Sequence, residues 1–244
     1  MHSCRVGKVK AFLLAAGLGT RLRPLTDTIP KCLVPIDGEP MLYHWFQLLK
    51  IHNISDVLIN VHYFPHAVRQ YVADFESSNS VPRITLFHEE TLLGSAGTIK
   101  ANVRWIEDEE AFLIAYADNL TNVDLTGLIQ FHQTRDAILT MGLFRSDCPE
   151  RCGIAVVGSD GLVLDFTEKP EKPRSNMANA GIYVASPVLL NYIPEGFADL
   201  GHDVLPKLVG KMYGDELDGY LRDIGTMESY IKAQDEWKRI RVSW

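Results

Sequence analysis

The sequence predicts an α/β fold in which a mainly parallel sheet is flanked by helices and a β-rich elaboration follows in the second half. Up to residue 144, short apolar runs alternate with amphipathic stretches, which is typical of strands and helices that alternate along a chain. Strands that are apolar throughout indicate a sheet covered on both faces. Beyond residue 150, hairpin-like patterns replace this alternation.

The alternating part contains five predicted strands and four predicted helices. The predicted strands are 10–16, 56–63, 83–89, 111–119 and 137–144. The predicted helices are 41–52, 65–75, 95–106 and 125–135. In the first helix, the spacing of the apolar residues places four of them on one face: Leu42, Trp45, Phe46 and Leu49. The second helix begins with Pro65, which is favoured in a first turn.

The later part of the chain changes in pattern. Residues 153–170 predict a hairpin that turns at Asp160-Gly161. Three further elements are predicted: a strand at 179–186, a short helix at 187–193 and a strand at 219–225. Thr226 is a candidate cap for a final helix that extends to about Arg241.

The length and composition limit the class of protein. A chain of 244 residues suits one large domain, which we predict over 1–244. The net charge is −7 and no basic stripe occurs, so nucleic acid is not an expected partner. No run approaches the ~20 apolar residues that span a membrane, and 11–17 is interpreted as a buried strand rather than a signal peptide. Four scattered cysteines without a CxxC motif predict reduced thiols in the cytoplasm and no zinc site: Cys4, Cys32, Cys148 and Cys152.

The stretch LLAAGLGTRLRPLTDTIPKCLVP (13–35) follows the first predicted strand. Gly17 and Gly19 let backbone N–H groups point at an oxyanion, and Arg21 and Lys31 add positive charge. Ligands of open α/β sheets bind where strands end, so we predict an anion-binding loop here. The alternative is a surface turn whose cations are only solvated.

Two catalogued phosphate motifs do not fit this loop. A P-loop needs four residues between its glycines, followed by Gly-Lys-Ser/Thr, whereas one residue separates Gly17 from Gly19. The dinucleotide fingerprint needs a third glycine where Leu22 stands. The loop is therefore a different phosphate loop that relies on the same physical interactions.

The pattern Gly-x-Gly-Thr-Arg-Leu-x-Pro-Leu-Thr, followed by Pro-Lys-x-Leu-x-Pro, resembles the signature of sugar-1-phosphate nucleotidyltransferases, also called nucleotide-sugar pyrophosphorylases. Four later segments match in order, so the resemblance covers nearly the whole chain. It implies the Rossmann-like nucleotide-diphospho-sugar transferase fold, with a nucleotide-binding half at about 1–120 and a sugar-phosphate-binding half at about 121–244. The sequence is most similar to mannose-1-phosphate guanylyltransferase-like members that lack a C-terminal β-helix of hexapeptide repeats.

The resemblance implies nucleotide contacts in the glycine loop and in HEETLLGSAGTIKA (88–101), which is similar to the family's nucleobase segment. The implied nucleotide-binding residues are Leu14, Ala15, Ala16, Gly17, Gly19, Thr20, Glu89, Gly94, Ala96 and Gly97. Gly94 and Gly97 permit close approach to a flat ring, and Glu89 or Glu90 can accept from base N–H groups. The alternative is a helix N-terminus that opens at Gly94.

The segment YADNL is similar to the family segment whose aspartate binds Mg²⁺. Asp118 ends an apolar strand, which is a poor place for an unpartnered carboxylate, and Asp223 resembles the second metal aspartate. The resemblance thus implies a Mg²⁺ cofactor on Asp118 and Asp223, with Arg21, Lys31 and Asp118 as catalytic residues. The alternative is that each aspartate caps or pairs locally, as Asp223 could with Arg222.

The segments FTEKP (166–170) and NAGIYV (179–184) resemble the sugar-phosphate segments of the family. The implied sugar-phosphate-binding residues are Asn119, Gly153, Glu168, Lys169, Asn179 and Gly181. Glu168 would accept from sugar hydroxyls, and Lys169 would pair with the phosphate. Taken alone, Glu-Lys-Pro is also a common solvated surface triplet.

The reaction implied by the resemblance joins a nucleoside triphosphate (NTP) to a sugar 1-phosphate and gives an NDP-sugar and pyrophosphate. GTP and mannose 1-phosphate, or a heptose relative, are the expected substrates. The alternatives are a cytidylyl-, uridylyl- or thymidylyltransferase on another sugar phosphate or phosphocholine, and an inactive nucleotide-sugar-binding regulatory subunit. The presence of four charged residues favours an enzyme: Arg21, Lys31, Asp118 and Asp223. The expected partners are these two substrates, with no nucleic acid and no membrane. A homodimer is compatible with the sequence.

Overall fold

The computed structural model describes residues 9–240. Cys4 and the expected end of the last helix at Arg241 lie outside the described residues. Two compact units form. The first contains Lys10–Leu92, Ala115–Val123 and the described residues from Gly219, and the second contains Leu93–Ile114 and Asp124–Asp218. Each unit takes segments from both halves of the chain, while the functional division at about residue 120 stays a prediction.

The described chain contains both strands and helices. Its strands are β1 (Lys10–Leu14), β2 (Pro35–Ile36), β3 (Glu39–Pro40), β4 (Asp56–Val61), β5 (Arg83–His88), β6 (Phe112–Tyr116), β7 (Asn119–Thr121), β8 (Leu139–Arg145), β9 (Gly153–Val157), β10 (Val163–Glu168), β11 (Met177–Ala185), β12 (Tyr213–Glu216) and β13 (Leu221–Asp223). Its α-helices are α1 (Met41–Ile51), α2 (Pro65–Ser78), α3 (Gly94–Ala101), α4 (Leu125–Thr134) and α5 (Met227–Ile240). Within residues 9–240, no helix has both the length and the apolar composition needed to cross a membrane.

The first unit is built on parallel strands. β4 lies between β1 and β5 and is parallel to both, with Asn60 paired to Leu14 on one side and to Phe87 on the other. The central residues of β1, Ala11–Leu13, are at most 1% exposed, as expected for a parallel strand that is covered on both faces. The parallel, apolar character that the sequence predicts is therefore confirmed.

The second unit is richer in antiparallel strands. β9 pairs with β10 and β11 in antiparallel fashion, β11 pairs with β8 likewise, and β12 runs parallel to β8. The β9–β10 hairpin turns at Asp160-Gly161 as predicted. Gly161 has a φ of 88°, a conformation that favours glycine. This unit contains the β-rich elaboration expected from the second half of the sequence.

Helix α1 has the apolar face that its spacing predicts. Leu42, Trp45, Phe46 and Leu49 are each at most 1% exposed. The Phe46 ring packs on Phe75 of α2, with ring centroids 4.7 Å apart. Burial of such side chains is the main source of stability for amphipathic helices.

Two predicted elements are interrupted in the structure. The strand expected at 111–119 ends at Tyr116 and resumes as β7 at Asn119, so Asp118 lies at a break rather than inside a strand. The helix expected at 95–106 ends at Ala101, where the Asn102 side chain donates to Thr98 O (2.8 Å), and a 3₁₀ turn follows. Local hydrogen bonds of this kind compete with continuation of a helix.

Buried His132 gives the fold a testable pH dependence. Its Nδ1 lies 3.0 Å from Thr140 Oγ1, and burial lowers its pKa from 6.5 to about 4, against an opposing effect of Asp136. Below about pH 6.5, the unfolded chain binds a proton at His132. The folded chain binds this proton only below about pH 4. The free energy of unfolding should therefore fall by about 3 kcal/mol between these pH values through His132 alone.

We expect His132→Gln to remove this part of the pH dependence, as measured by urea unfolding from pH 7.5 to 4. His66→Gln is the control, because it removes an exposed histidine instead of a buried one. Burial also lowers the pKa of His44, so the wild-type slope has a second source and only the difference counts. Identical slopes in wild type and His132→Gln would contradict this account.

Candidate active site

The glycine loop leaves the carboxyl end of β1 at residues 15–19. Gly19 has a φ of 66°, and a Cβ there would lie 2.9 Å from Thr26 Cγ2. Thr26 Oγ1 also donates to Gly19 O (2.7 Å). A Cβ on Gly17 would meet nothing within 4 Å. The loop is thus packed on one side and open at Gly17, where an anion can approach its backbone amides.

Lys31 lies between two aspartates that are distant in the chain. Its Nζ donates to Asp118 Oδ2 and lies 3.5 Å from Asp223 Oδ1. The Lys31 side chain is 11% exposed, whereas the side chains of Asp118 and Asp223 are 32% and 55% exposed. The ammonium therefore offsets part of the negative charge of the two carboxylates from the protein side and leaves part of their surface open to a ligand.

Strand pairing brings the two aspartates together. β7 and β13 are antiparallel, with Asn119 opposite Asp223, and Ile224 N donates to Asp118 O (3.0 Å). Asn119 is 7% exposed. The break after β6 therefore places Asp118 beside the end of β13, while a metal site shared by the two aspartates stays a prediction.

Arg21 belongs to the same cluster. It lies in a 3₁₀ turn, Thr20–Leu22, that is anchored by fully buried Leu22. A Cβ on Gly225 would lie 3.1 Å from Arg21 Nη2 and 2.8 Å from Asp223 Oδ1. The first unit thus brings together the four charged residues that are expected to act in catalysis or metal binding: Arg21, Lys31, Asp118 and Asp223.

The charges of this cluster act on one another. Partial withdrawal from water raises the pKa of Asp223, and the Asp118 carboxylate raises it further. Lys31, the backbone N–H of Gly225 and Arg21 oppose this rise. Two neighbouring carboxylates repel when both are ionised, so the position favours a cation.

The local partners considered for Asp223 are engaged elsewhere. Arg222 forms a forked ion pair with Glu236, through Nε–Oε2 (2.6 Å) and Nη2–Oε1 (2.8 Å). Thr226 Oγ1 accepts from Ser229 N (3.2 Å), so it caps α5 as predicted. The alternative that Asp223 pairs with Arg222 is therefore not what the structure shows.

The second unit holds a separate carboxylate, that of Glu168. Gly153 pairs with Glu168 across the β9–β10 hairpin. A Cβ on Gly153 would lie 2.6 Å from Glu168 Oε2, and a Cβ on Gly201 would lie 3.1 Å from the same atom. Two glycines thus make room for one acidic side chain that is 19% exposed.

Lys169 presents its ammonium to solvent. Its φ is 47°, an uncommon left-handed conformation for a lysine, and its N donates to Cys152 O (3.0 Å). Its Nζ lies 3.7 Å from Glu168 Oε1, with 64% of the side chain exposed. An ion pair this exposed adds little stability, so the lysine remains accessible to an anion.

Asn179 and Gly181 form a β-bulge in β11. The Asn179 side chain donates to Tyr183 OH (2.6 Å) and accepts from Gly181 N (3.0 Å). Gly181 has a φ of 66°, and the strand register shifts between Asn179 and Tyr183. These contacts account for the residue types structurally, while contact with a sugar stays a prediction.

The segment around Gly94 also has a structural explanation. Ala96 N and Gly97 N, at the start of α3, donate to Ala198 O (2.9 and 3.1 Å). A Cβ on Gly94 would lie 2.3 Å from that oxygen, and a Cβ on Gly97 would lie 2.6 Å from Gly196 O. Both glycines admit a neighbouring backbone, and close approach of a base to them stays a prediction.

Comparison with known proteins identifies the family. The model of the family described as nucleotidyl transferase matches residues 10–239. The chain belongs to the nucleotidyl transferase family.

Named relatives agree with this assignment. A UTP–glucose-1-phosphate uridylyltransferase of Synechocystis sp. is 32% identical over 96% of this chain and 63% of its own length. Mannose-1-phosphate guanylyltransferase 1 of Arabidopsis thaliana is 31% identical over 91% of this chain and 63% of its own length. The chain thus spans less than two thirds of these curated relatives.

A solved structure supports the fold of this nucleotidyl transferase. A Bacillus anthracis protein described as a glucose-1-phosphate thymidylyltransferase superposes with a TM-score of 0.86, covering 97% of this chain and 98% of that one. At 24% sequence identity, this similarity speaks for the fold alone. The predicted fold class is confirmed.

Sequence reasoning missed two residues that lie against predicted site residues. Asn60 is 5% exposed, and its side chain donates to Glu89, which is 2% exposed. The sequence did offer a signal for Asn60, which is the single amide near the end of the apolar run DVLINV. Gly201, next to Glu168, gave no signal because its position depends on a π-helical turn, Leu200–Val204, that was not predicted.

The glycines at the start of α3 generate a stability prediction for this nucleotidyl transferase. Gly94→Ala adds a left-handed alanine, at about 1–2 kcal/mol, and a collision with Ala198 O, at about 1–3 kcal/mol. Gly196→Ala is the matched control, because Gly196 has a φ of 82° but an open Cβ position. Urea unfolding should show the larger loss for Gly94→Ala. Equal losses would mean that the collision with Ala198 does not matter.

Proposed function

We propose that this chain is a sugar-1-phosphate nucleotidyltransferase, which transfers a nucleoside monophosphate from an NTP to a sugar 1-phosphate and releases pyrophosphate. The observation that carries the proposal is the cluster in which Lys31 lies between Asp118 and Asp223, with Arg21 beside it. The open glycine loop and the membership in the nucleotidyl transferase family support it.

The proposed reaction is an in-line displacement at phosphorus. An oxygen of the sugar phosphate forms a bond to the α-phosphorus as the bond from that atom to the pyrophosphate oxygen breaks. No covalent enzyme intermediate is needed, so the chain acts by positioning and by charge stabilisation. Arg21 would stabilise the charge that develops on the leaving pyrophosphate with a forked pair of N–H donors. Lys31 would hold the nucleotide phosphates.

The donor set of the cluster suits Mg²⁺. Mg²⁺ is usually held by one or two carboxylates together with substrate phosphates and water. Residues 9–240 contain no group of three or more His, Cys, Asp or Glu residues arranged for a metal, but Asp118 and Asp223 supply the two carboxylates. When bound, the ion would reduce the repulsion between the two anionic substrates. The residues present therefore fit the Mg²⁺ that we propose for these two aspartates.

We assign Glu168 and Lys169, both in the second unit, to the sugar phosphate. Glu168 has the room that Gly153 and Gly201 provide, and its oxygens would accept from sugar hydroxyls. Lys169, with its exposed ammonium, would pair with the phosphate. Asn119, Asn179 and Gly181 complete the proposed sugar-phosphate set, on the basis of the sequence resemblance.

We further propose that the nucleotide is GTP and that the sugar is mannose or a heptose relative. The Arabidopsis mannose-1-phosphate guanylyltransferase supports this choice, while the Synechocystis uridylyltransferase is equally similar. The reaction class is thus better supported than the base. The scattered cysteines and these substrates suit a cytoplasmic enzyme.

A panel of ATP, CTP, GTP, TTP and UTP against several sugar 1-phosphates tests the proposal by Mg²⁺-dependent pyrophosphate release. We expect the highest rate with GTP and mannose 1-phosphate or a heptose phosphate. Arg21→Lys keeps the charge but loses the fork, so turnover should fall on the order of 10²-fold, as for loss of one preorganised donor.

Arg23→Lys is the matched control for this substitution. Arg23 is 58% exposed and pairs with Asp27 (3.1 Å), so its variant should keep the wild-type rate. If no pair of substrates in the panel releases pyrophosphate, the proposed reaction is refuted. A clear preference for another NTP would refute only the choice of GTP. A wild-type rate in Arg21→Lys would remove Arg21 from the active site.

A further inference from the structure

Asn60 connects the glycine loop to Glu89 inside the first unit. It lies on β4, where its register partner is Leu14, the last residue of β1. Its Oδ1 accepts from Ala15 N (2.6 Å), which is the first backbone amide beyond β1. Its Nδ2 donates to Glu89 Oε1 (2.8 Å). One side chain therefore contacts both segments in which nucleotide contacts are expected.

Asn60 and Glu89 are buried, and other hydrogen bonds hold the backbone of Glu89 in place. Asn60 is 5% exposed and Glu89 is 2% exposed. Glu89 N donates to Val61 O (2.9 Å), and His62 Nδ1 donates to Glu89 O (2.8 Å). Because β4 holds the backbone of Glu89, the amide of Asn60 sets where the Glu89 carboxyl group and the start of the glycine loop stand relative to each other.

The chemistry of this position requires an amide. An amide offers an acceptor to Ala15 N and a donor to Glu89 at the same time. Aspartate would keep the acceptor but would set one acidic side chain against another. An aliphatic residue would remove both bonds and leave the partly buried amide of Ala15 without this acceptor, which is costly.

We infer that Asn60 is a positioning residue for the nucleotide, which holds the phosphate-binding loop and the base-facing Glu89 in one arrangement. The inference rests on the proposed function, because it takes the loop and Glu89 as the two ends of a nucleotide site. Asn60 acts through Ala15 and Glu89 and needs no contact of its own with the nucleotide.

Equilibrium binding tests the inference without requiring turnover. GTP, UTP and inorganic tripolyphosphate, each with Mg²⁺, are titrated calorimetrically into wild type, Asn60→Asp, Glu89→Gln and the double variant. Tripolyphosphate has no base, so it reports on the loop alone. We expect Asn60→Asp to weaken the binding of tripolyphosphate and of the preferred NTP at least tenfold.

The double variant, which combines Asn60→Asp with Glu89→Gln, tests whether the hydrogen bond between the two side chains can be restored. Its carboxylate at position 60 would accept from Ala15 N and from the new side-chain amide at position 89, which restores the pair with its polarity reversed. Adding Asn60→Asp to Glu89→Gln should therefore change each Kd by less than about threefold, a coupling that independent sites lack. If Asn60→Asp alone yields too little folded protein, this comparison decides the matter. Asn79→Ala, which removes a side-chain bond to Phe75 O at the end of α2, is the control and should bind like wild type.

The outcomes separate this inference from the proposed function. Wild-type affinities in Asn60→Asp, unchanged tripolyphosphate binding, or losses that multiply in the double variant would each overturn the role of Asn60. A wild-type chain that releases pyrophosphate from none of the five NTPs in the substrate panel would instead refute the proposed function and, with it, the inference. Turnover in the substrate panel together with unaffected Asn60→Asp binding would leave the function standing and the inference refuted.

Discussion

The Lys31 ammonium lies between the carboxylates of Asp118 and Asp223, and the arrangement of the proposed active site depends on this contact. The three residues come from distant parts of the chain: the glycine loop, the break after β6 and the end of β13. Two carboxylates at converging strand ends would repel without a counter-charge. A lysine that is 11% exposed supplies that charge from within the protein and leaves the more exposed aspartates free to bind a cation.

Other features of the first unit follow from this constraint. The chain must break after Tyr116 for Asp118 to reach Lys31, and β7 then pairs with β13 so that Asp223 arrives at the same place. Gly225 must lack a side chain because Arg21 and Asp223 both lie against it. The forked pair between Arg222 and Glu236 engages the one cation adjacent in sequence to Asp223. Backbone pairing and local charge thus serve the same cluster.

The sequence predicted those features that depend on local pattern. The apolar runs identified β1 and β4, and spacing identified the buried face of α1, because burial imposes a period on hydrophobic residues. A carboxylate at the end of an apolar run marked Asp118. Two contacts between segments distant in the chain were not predicted. The glycines at 94 and 97 admit the backbone of residues 196–198, and the pairing of Asn60 with Glu89 depends on the register of β4 and β5.

The central claim is the proposal that Lys31, Asp118 and Asp223 act as one unit on one Mg²⁺ in the proposed nucleotidyl transfer. The most direct test measures the Mg²⁺ dependence of pyrophosphate release in Asp118→Asn, Asp223→Asn and the double variant, with near-UV circular dichroism as the check on folding. Residues that act as a unit are non-additive, so each single variant should lose nearly all turnover and the double variant should be scarcely worse. Losses that multiply, or wild-type Mg²⁺ dependence in either single variant, would contradict the shared site.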